Sequence, residues 1–192
     1  MSAQFPPFRV LFSRDQILRR AQELARSITA ATQPEPPMLV AVIEGARPFA
    51  RLIQQLVPGS LPVHEVRASS YAGTQSTGTV QITLGKDLPV SGRHVLLLED
   101  IVDTGRTIHA LQKHFLGAGA STCRVASLLS KPSRRVVDVT IDYLGFDIPD
   151  EFVLGCGMDL DGRYRELPDI VIYEADVERA FVARSGAGST VR

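Results

Sequence analysis

The chain has 192 residues, of which 44% are hydrophobic and 22% charged, a composition that excludes wholesale disorder and is typical of a globular domain. Its 21 basic and 21 acidic residues balance, so it lacks the positive excess of a non-specific nucleic-acid binder. No apolar run approaches the roughly 18 residues of a membrane span, and the first residues lack the pattern of a secretory signal. We therefore expect a cytoplasmic protein that binds neither nucleic acid nor membrane, with Cys123 and Cys156 reduced.

The first part of the chain predicts a helix and then a buried strand. Ser13 and Gln16 have the spacing of a capping box, and apolar residues then recur at helical intervals, which predicts a helix over 14–31. A proline cluster follows and cannot continue the helix. The apolar run at 38–43 is typical of a strand covered on both faces. After it we expect, in order, a helix over 49–56, a strand over 63–68 and a mobile polar loop over 69–79.

The second part of the chain continues the alternation of strands and helices. An apolar strand over 95–98 ends in two acidic residues, and a helix over 107–116 follows, with further strands expected over 124–129, 141–146 and 152–154. This order predicts an α/β fold with a mostly parallel central sheet flanked by helices. We expect one domain over 1–183 and a disordered tail over 184–192. Ligands in such folds bind beyond the carboxyl ends of the strands.

One segment carries the chemistry. The strand at 95–98 delivers Glu99 and Asp100 to its end, and the turn Asp103-Thr104-Gly105-Arg106-Thr107 then opens a helix. Free N–H groups and the positive dipole at a helix start favour a phosphate. Acidic groups beside a phosphate need a further role, and either a sugar diol or Mg²⁺ would provide it. An acidic surface loop with an ordinary helix cap, formed by Asp103, is the alternative interpretation.

The segment Leu97–Thr107 closely resembles the phosphoribosyl pyrophosphate (PRPP) motif of the type I phosphoribosyltransferases. Further segments resemble the hypoxanthine-guanine branch of that family in the expected order. They are the loop Ser69-Ser70-Tyr71 with Ser76-Thr77-Gly78, the purine-binding segments 127–132 and 145–155, and finally Asp159 with Tyr164-Arg165. The resemblance covers residues 10 to 175 and implies a type I phosphoribosyltransferase fold, with a small hood contributed by the N-terminal and C-terminal segments.

The resemblance implies a Mg²⁺-dependent purine-salvage enzyme that joins hypoxanthine, or guanine, to PRPP and releases IMP or GMP and pyrophosphate. Glu99 and Asp100 would hold the ribose, Asp103 would be the general base, and the 5-phosphate would lie on Asp103, Thr104, Gly105, Arg106 and Thr107. The base would be bound by Lys131, Phe152, Val153 and Asp159, and the metal by Glu99 and Asp159. Pyrophosphate and the closing loop would involve Gly45, Arg165, Ser70 and Tyr71. A homo-oligomer, dimer or tetramer, is expected by analogy.

Several points stay open at this level. The family often has a basic residue where this chain has Glu44, so that side chain must point away, bind metal-linked water or pair with an arginine. In the family the peptide that enters this loop can be cis. The alternatives to the main hypothesis are a xanthine-preferring phosphoribosyltransferase and a non-catalytic regulator that senses PRPP or nucleotides on the same fold. By composition alone, Phe152 would be a core residue.

Overall fold

The computed structural model describes residues 5–32, 34–70, 80–84 and 88–186. Strands and helices alternate over most of this length, as the sequence predicts. In chain order the elements are β1 (Arg9–Phe12), α1 (Arg14–Ala31), β2 (Met38–Ile43), α2 (Arg47–Leu56), β3 (Val63–Ser70), β4 (Val80–Leu84), β5 (His94–Val102), α3 (Arg106–Gly117), β6 (Thr122–Ser130), β7 (Tyr143–Asp147), β8 (Val153–Leu154), β9 (Ile170–Ile172) and α4 (Ala175–Gly186).

The larger sheet has six strands in the order β4-β3-β2-β5-β6-β7. All neighbouring pairs are parallel except β3 and β4, which run antiparallel at one edge. The central strands β2 and β5 are almost continuously apolar because both faces of a parallel sheet are covered. This arrangement confirms the predicted α/β fold.

Alternate residues of the central strands pack into two different layers. Leu39, Leu96 and Leu98 join a core with α1 and α2, whereas Val40 and Leu97 join a core with α3. Successive side chains on a strand point to opposite faces, so a single apolar run supplies both cores. Helices therefore cover both faces of the sheet and leave its carboxyl edge open.

A smaller antiparallel sheet forms from the two ends of the chain, with strand order β1-β9-β8. It has its own apolar cluster, which includes Phe8, Leu154, Tyr164 and Leu167. Helix α4 joins this region through Glu178, which accepts hydrogen bonds from the hydroxyls of Tyr164 and Tyr173. We call the three-stranded sheet together with α4 the hood.

Several predicted boundaries differ from the structure. Helix α1 has the predicted bounds, and its capping box is present. Helix α2 begins two residues earlier than predicted, because Pro48 is favourable in a first turn. The expected loop at 69–79 was wrong for residues 69 and 70, which pair with β4, while 71–79 lie outside the described residues. Four elements were not predicted, namely β1, β4, β9 and α4, which are short or lack strong periodicity.

The extent of β5 matters most for function. The strand was expected to end at Leu98, but it continues to Val102 because Glu99, Ile101 and Val102 pair with β6. Glu99 and Asp100 therefore lie within a strand rather than after it. At the other end of the chain α4 runs to Gly186, so the predicted tail boundary at 183/184 falls inside a helix.

None of the helices in the described part of the chain combines the length and apolar character that a membrane crossing requires. The single domain predicted over residues 1–183 stays a prediction.

Candidate active site

A cleft of about 630 Å³ opens at the carboxyl edge of the main sheet. It is lined by residues of β5, by residues that follow β2 and β6, and by residues around β8. The lining residues are Gly45, Asp100, Ile101, Asp103, Lys131, Arg134, Asp150, Phe152, Val153, Met158, Asp159 and Arg165. Most residues that the sequence analysis assigned to a base, ribose or pyrophosphate are thus brought to one place.

Asp100 lies against the backbone of the loop that follows β2. A Cβ atom at Gly45 would approach Asp100 Oδ2 to 1.9 Å, so any other residue here would displace the Asp100 carboxylate. Burial raises the pKa of Asp100 to about 6, although backbone hydrogen bonds and the charge of Arg165 oppose the shift. The cleft therefore contains a carboxyl group that is poorly hydrated and close to a glycine loop.

Glu99 is buried, with 8% of its surface exposed, and does not line the cleft. Its Oε2 atom is buried and has no hydrogen-bond partner among the described residues. Burial, and then the neighbouring Asp100, raise the pKa of Glu99 well above its ordinary value. A buried carboxylate without a donor is costly, and a bound cation or a sugar hydroxyl would satisfy it.

Asp159 faces the same cleft but is already partnered. Its Oδ1 atom lies 2.9 Å from Arg165 Nη2, and its Oδ2 atom accepts a hydrogen bond from the Gly162 N–H at 2.5 Å. Within the described ranges no three His, Cys, Asp or Glu side chains converge as a closed metal site. The acidic residues fit Mg²⁺ better, because this ion binds through one or two carboxylates plus substrate phosphates and water.

The turn before α3 has the form of an anion cradle. Gly105 has a φ of +84°, and a Cβ there would lie 2.3 Å from the carbonyl oxygen of Val137. Helix α3 begins at Arg106, its N-cap residue is Gly105, and the Arg106 N–H donates a long hydrogen bond of 3.5 Å to Thr104 Oγ1. The alternative interpretation of Asp103 as the helix cap is therefore wrong. The N–H groups at the start of a helix favour an anion.

Asp103 is instead held by two consecutive arginines. Arg134 Nε donates to Asp103 Oδ1 at 2.8 Å, and Arg135 Nη1 donates to the backbone carbonyl of Asp103 at 2.9 Å. Both arginines belong to the segment that follows β6, which begins with the 3₁₀ turn Pro132–Arg134. The side chain of the expected general base is thus oriented by tertiary contacts.

Lys131 and Phe152 both line the cleft. Only 11% of the Lys131 side chain is exposed, and its Nζ atom lies 3.5 Å from Asp150 Oδ1. Phe152 is 50% exposed and packs edge-on against Tyr173 with ring centroids 5.8 Å apart, so the interpretation of Phe152 as a core residue is wrong. Val153 is buried directly beside it. A cationic donor and an exposed aromatic ring in one cleft suit a flat, partly polar molecule.

The loop after β2 resolves the question of Glu44. The peptide between Ile43 and Glu44 is cis. Glu44 pairs with two arginines, Arg67 at 2.5 Å and Arg47 at 2.8 Å. The hydrogen bond from Arg67 and the charge of Arg47 lower the pKa of Glu44. Of the three options that the sequence leaves open, pairing with arginine is the one observed.

Known proteins resemble both the sequence and this architecture. A family model of the phosphoribosyl transferase domain matches residues 11–161. The hypoxanthine-guanine phosphoribosyltransferase of Streptococcus thermophilus (strain CNRZ 1066) is 36% identical over 170 residues, which cover 88% of this chain and 94% of that protein. The chain belongs to the phosphoribosyltransferase family.

Solved structures of family members have the same fold. The crystal structure of a hypoxanthine-guanine phosphoribosyltransferase from Bacillus anthracis superposes with a TM-score of 0.81 at 36% identity, covering 86% of this chain and 98% of that one. A hypoxanthine phosphoribosyltransferase from Staphylococcus aureus gives a TM-score of 0.81 at 33% identity, with coverages of 88% and 92%. The predicted fold class is confirmed.

This phosphoribosyltransferase does not bring every predicted residue into the cleft. Thr104, Gly105, Arg106 and Thr107 lie at the start of α3, and Glu99 lies beneath the cleft surface. Ser70 is the last residue of β3, opposite Val80, and Tyr71 lies outside the described residues. The cleft also contains Arg134 and Asp150, which the sequence analysis did not select. Nothing in their local sequence distinguishes them from ordinary loop charges.

Proposed function

We propose that this phosphoribosyltransferase transfers the 5-phosphoribosyl group of PRPP to the 6-oxopurines hypoxanthine and guanine, giving IMP or GMP and pyrophosphate. The observation that carries the proposal is the arrangement of Asp103, Lys131 and Phe152 around one cleft. A proton acceptor, a cationic donor and an exposed aromatic face are the groups that a 6-oxopurine requires. The named relatives from Streptococcus and Bacillus support the same substrates.

Base selection rests on Lys131 in this proposal. A lysine ammonium donates hydrogen bonds and cannot accept them, so it matches the 6-oxo group of hypoxanthine or guanine. Adenine has an amino donor at that position, and two facing donors cannot hydrogen-bond to each other, so the Lys131 ammonium would gain no partner from this base. The ring of Phe152 would stack on either purine and would add affinity without discrimination. The backbone of Val153 would contact another polar edge of the base.

The reaction forms a bond between purine N9 and ribose C1 and breaks the bond from C1 to the pyrophosphate oxygen. The proton on N7 passes to the Asp103 carboxylate, and the electron pair of the broken bond leaves with pyrophosphate. Asp103 is well suited to this role because it lies in the cleft and only Oδ1 of its carboxylate is engaged by Arg134. The ribose hydroxyls would bind Asp100 and Glu99.

The phosphates of PRPP would lie at the two glycine-containing turns. The 5-phosphate would bind at Thr104–Thr107, where the N-terminus of α3 supplies free N–H groups. The pyrophosphate would lie between Gly45 and Arg165, which line the cleft together. A loop that contains Ser70 and Tyr71 would close over the reactants, which excludes water and prevents hydrolysis of PRPP.

We include Mg²⁺ in this proposal. Glu99, with its unpartnered Oε2, and Asp159 would hold the ion, together with PRPP oxygens and water. When bound, Mg²⁺ supplies positive charge that offsets the charge of the departing pyrophosphate. We expect activity to disappear in EDTA and to return on addition of Mg²⁺ or Mn²⁺. Full turnover in the chelator would contradict the metal assignment.

A spectrophotometric assay of hypoxanthine, guanine, xanthine, adenine and uracil with PRPP and Mg²⁺ tests the proposed function. We expect turnover of hypoxanthine and guanine, and discrimination against adenine by a factor on the order of 10⁴. Preferential use of xanthine would identify a different base specificity. No turnover of any base would contradict an enzymatic role.

The proposal extends to the state of the protein in the cell. We place it in the cytoplasm, where its two unpaired cysteines, Cys123 and Cys156, would stay reduced. We expect a dimer or tetramer, which light scattering at several concentrations would measure. Neither nucleic acid nor a membrane is expected as a partner.

A further inference from the structure

Four charged side chains that line the cleft form a continuous series of contacts. Arg134 Nε donates to Asp103 Oδ1 at 2.8 Å, and Arg134 Nη1 donates to Asp150 Oδ2 at 3.3 Å. The other oxygen of Asp150 lies 3.5 Å from Lys131 Nζ. The order is therefore Asp103, Arg134, Asp150 and Lys131, with two carboxylates and two cations in alternation. All four residues line the cleft.

The two ends of this series of contacts, Asp103 and Lys131, are the residues that would bind the purine base in the proposed function. Asp103 would accept the N7 proton, and Lys131 would donate to the 6-oxo group, which is next to N7 on the same edge of the purine. Resting on that function, we propose that Arg134 and Asp150 are positioning residues. They hold the Asp103 carboxylate and the Lys131 ammonium where both can hydrogen-bond to the same edge of a 6-oxopurine.

The chemistry of the two middle residues suits this role. A guanidinium is planar and presents several donors in a fixed fork, so Arg134 can orient two carboxylates at once. Among the described residues, Arg134 alone donates to the Asp103 carboxylate, and it contacts only Oδ1. The second oxygen is left for the base.

Asp150 restrains Lys131 without neutralising all of its donors. An ammonium has three N–H donors, and its flexible stem gives it many orientations unless a partner restricts them. The 3.5 Å contact with Asp150 is loose enough to leave the ammonium available to a ligand. Arg134, Asp103 and Asp150 are each about half exposed, so these ion pairs contribute little to folding.

Steady-state kinetics of Arg134→Gln and Asp150→Asn test the proposal. Proton transfer to Asp103 occurs only in the transition state, so Arg134→Gln is expected to act mainly on kcat. The bond from Lys131 already forms in the ground state, so Asp150→Asn is expected to act mainly on the KM for hypoxanthine. We expect each effect to be about 10-fold, the range of one link in a side-chain network, with the KM for PRPP unchanged.

The double variant measures whether the residues act together. Both substitutions remove the same Arg134–Asp150 contact, so we expect the combined loss in kcat/KM to be smaller than the product of the single losses. A fully multiplicative loss would mean two unrelated contacts and would overturn the proposal. Unchanged kinetics in both single variants would overturn it as well.

Arg9→Gln is the matched control, because Arg9 is an exposed arginine paired at 3.9 Å with Glu151, the residue next to Asp150. It should behave as the unmodified protein does. Thermal melting of all variants should be unchanged, and a lowered Tm with a parallel loss in every kinetic constant would indicate a general structural role and overturn the proposal. No turnover of hypoxanthine by the unmodified chain would contradict the proposed function itself, and this inference with it.

Discussion

Two glutamates of this chain are equally buried but differ in their hydrogen-bond partners. Glu178, in the hood, accepts hydrogen bonds from the Tyr164 hydroxyl at 2.5 Å, from Arg163 at 2.6 Å and from the Tyr173 hydroxyl at 2.8 Å. Glu99, beside the cleft, has an oxygen without any partner among the described residues. Their exposed fractions are almost equal, at 9% and 8%.

The hydrogen-bond partners account for the opposite pKa shifts of Glu178 and Glu99. The hydroxyls of Tyr164 and Tyr173 stabilise the charged form and lower the pKa of Glu178. Burial without a donor raises the pKa of Glu99 well above its usual range. The carboxylate of Glu178 is thus fully partnered within the hood, whereas Glu99 keeps one oxygen without a partner among the described residues. We expect substitutions in the two regions to separate stability from activity.

The largest effect is expected at a cleft carboxylate, Asp103. Asp103→Asn removes the proton acceptor, so kcat should fall by about 10²–10⁴, the usual range for a general base. The free energy of unfolding should change little, because Asp103 does not cap α3 and the amide oxygen can still accept from Arg134. Steady-state kinetics and thermal melting would measure the two quantities.

The control for Asp103 is Asp176→Asn, a change at an exposed carboxylate of α4 that should alter neither quantity. A near-normal kcat for Asp103→Asn would mean that the carboxylate has no catalytic role.

A substitution at Lys131, a cation of the cleft, should also affect activity. Loss of one hydrogen bond from a charged donor should lower kcat/KM for hypoxanthine in Lys131→Ala by about 10–100-fold. The KM for PRPP should be nearly unchanged, which a two-substrate kinetic analysis would show. Lys113→Ala, at an exposed lysine of α3, is the control. Unimpaired use of hypoxanthine by Lys131→Ala would remove Lys131 from the base site.

The hood should respond in stability rather than in activity. Glu178→Gln weakens three hydrogen bonds, two from tyrosines and one from Arg163, and should lower the free energy of unfolding by about 1–3 kcal/mol. A carboxyl group whose pKa is lowered by folding stabilises the folded state at pH values above its unfolded pKa. This contribution is lost as the pH falls through the folded pKa. The difference in unfolding free energy between the unmodified protein and Glu178→Gln should therefore disappear below about pH 4.

Urea unfolding of the unmodified protein and Glu178→Gln across this pH range would measure the effect. Glu166→Gln, at an exposed position of the same region, should leave stability unchanged. A stability difference that persists undiminished at pH 3 would show that charge is not its cause.

The smallest effect should have the opposite sign. Glu99→Gln removes a buried carboxylate that lacks a donor, so in the absence of Mg²⁺ it should raise the free energy of unfolding by about 1 kcal/mol near pH 8. A carboxyl group whose pKa is raised by folding makes its full contribution to the stability of the folded state below its unfolded pKa. This contribution is lost as the pH rises through the folded pKa. The gain should therefore vanish near pH 5.

Melting in EDTA at pH 5 and pH 8 would test this prediction, and catalysis by the variant should be strongly reduced. A variant that is less stable at pH 8 would show that Glu99 supports the fold as Glu178 does, and the contrast between the two regions would fail.

Local sequence patterns were sufficient for much of the fold. The capping box at Ser13 and the prolines after residue 33 determined both ends of α1, because a helix end depends on its immediate neighbours. The short strands β1 and β9 were not predicted, since each is stabilised by a pairing partner that is distant in sequence. The same reason explains the extension of β5, whose last residues are strand only because β6 pairs with them.

From the sequence alone we could assign the fold class and propose which residues bind phosphate, ribose and purine, because the segment 97–107 and the residues Lys131, Phe152 and Asp159 occur as a recognisable motif set. The way in which these groups are held follows from long-range contacts. The tertiary structure placed two arginines on Glu44, left Oε2 of Glu99 without a donor, and set Arg134 between Asp103 and Asp150. These contacts join strands and turns that are far apart along the chain, and no local spacing encodes the distance between two side chains on different elements.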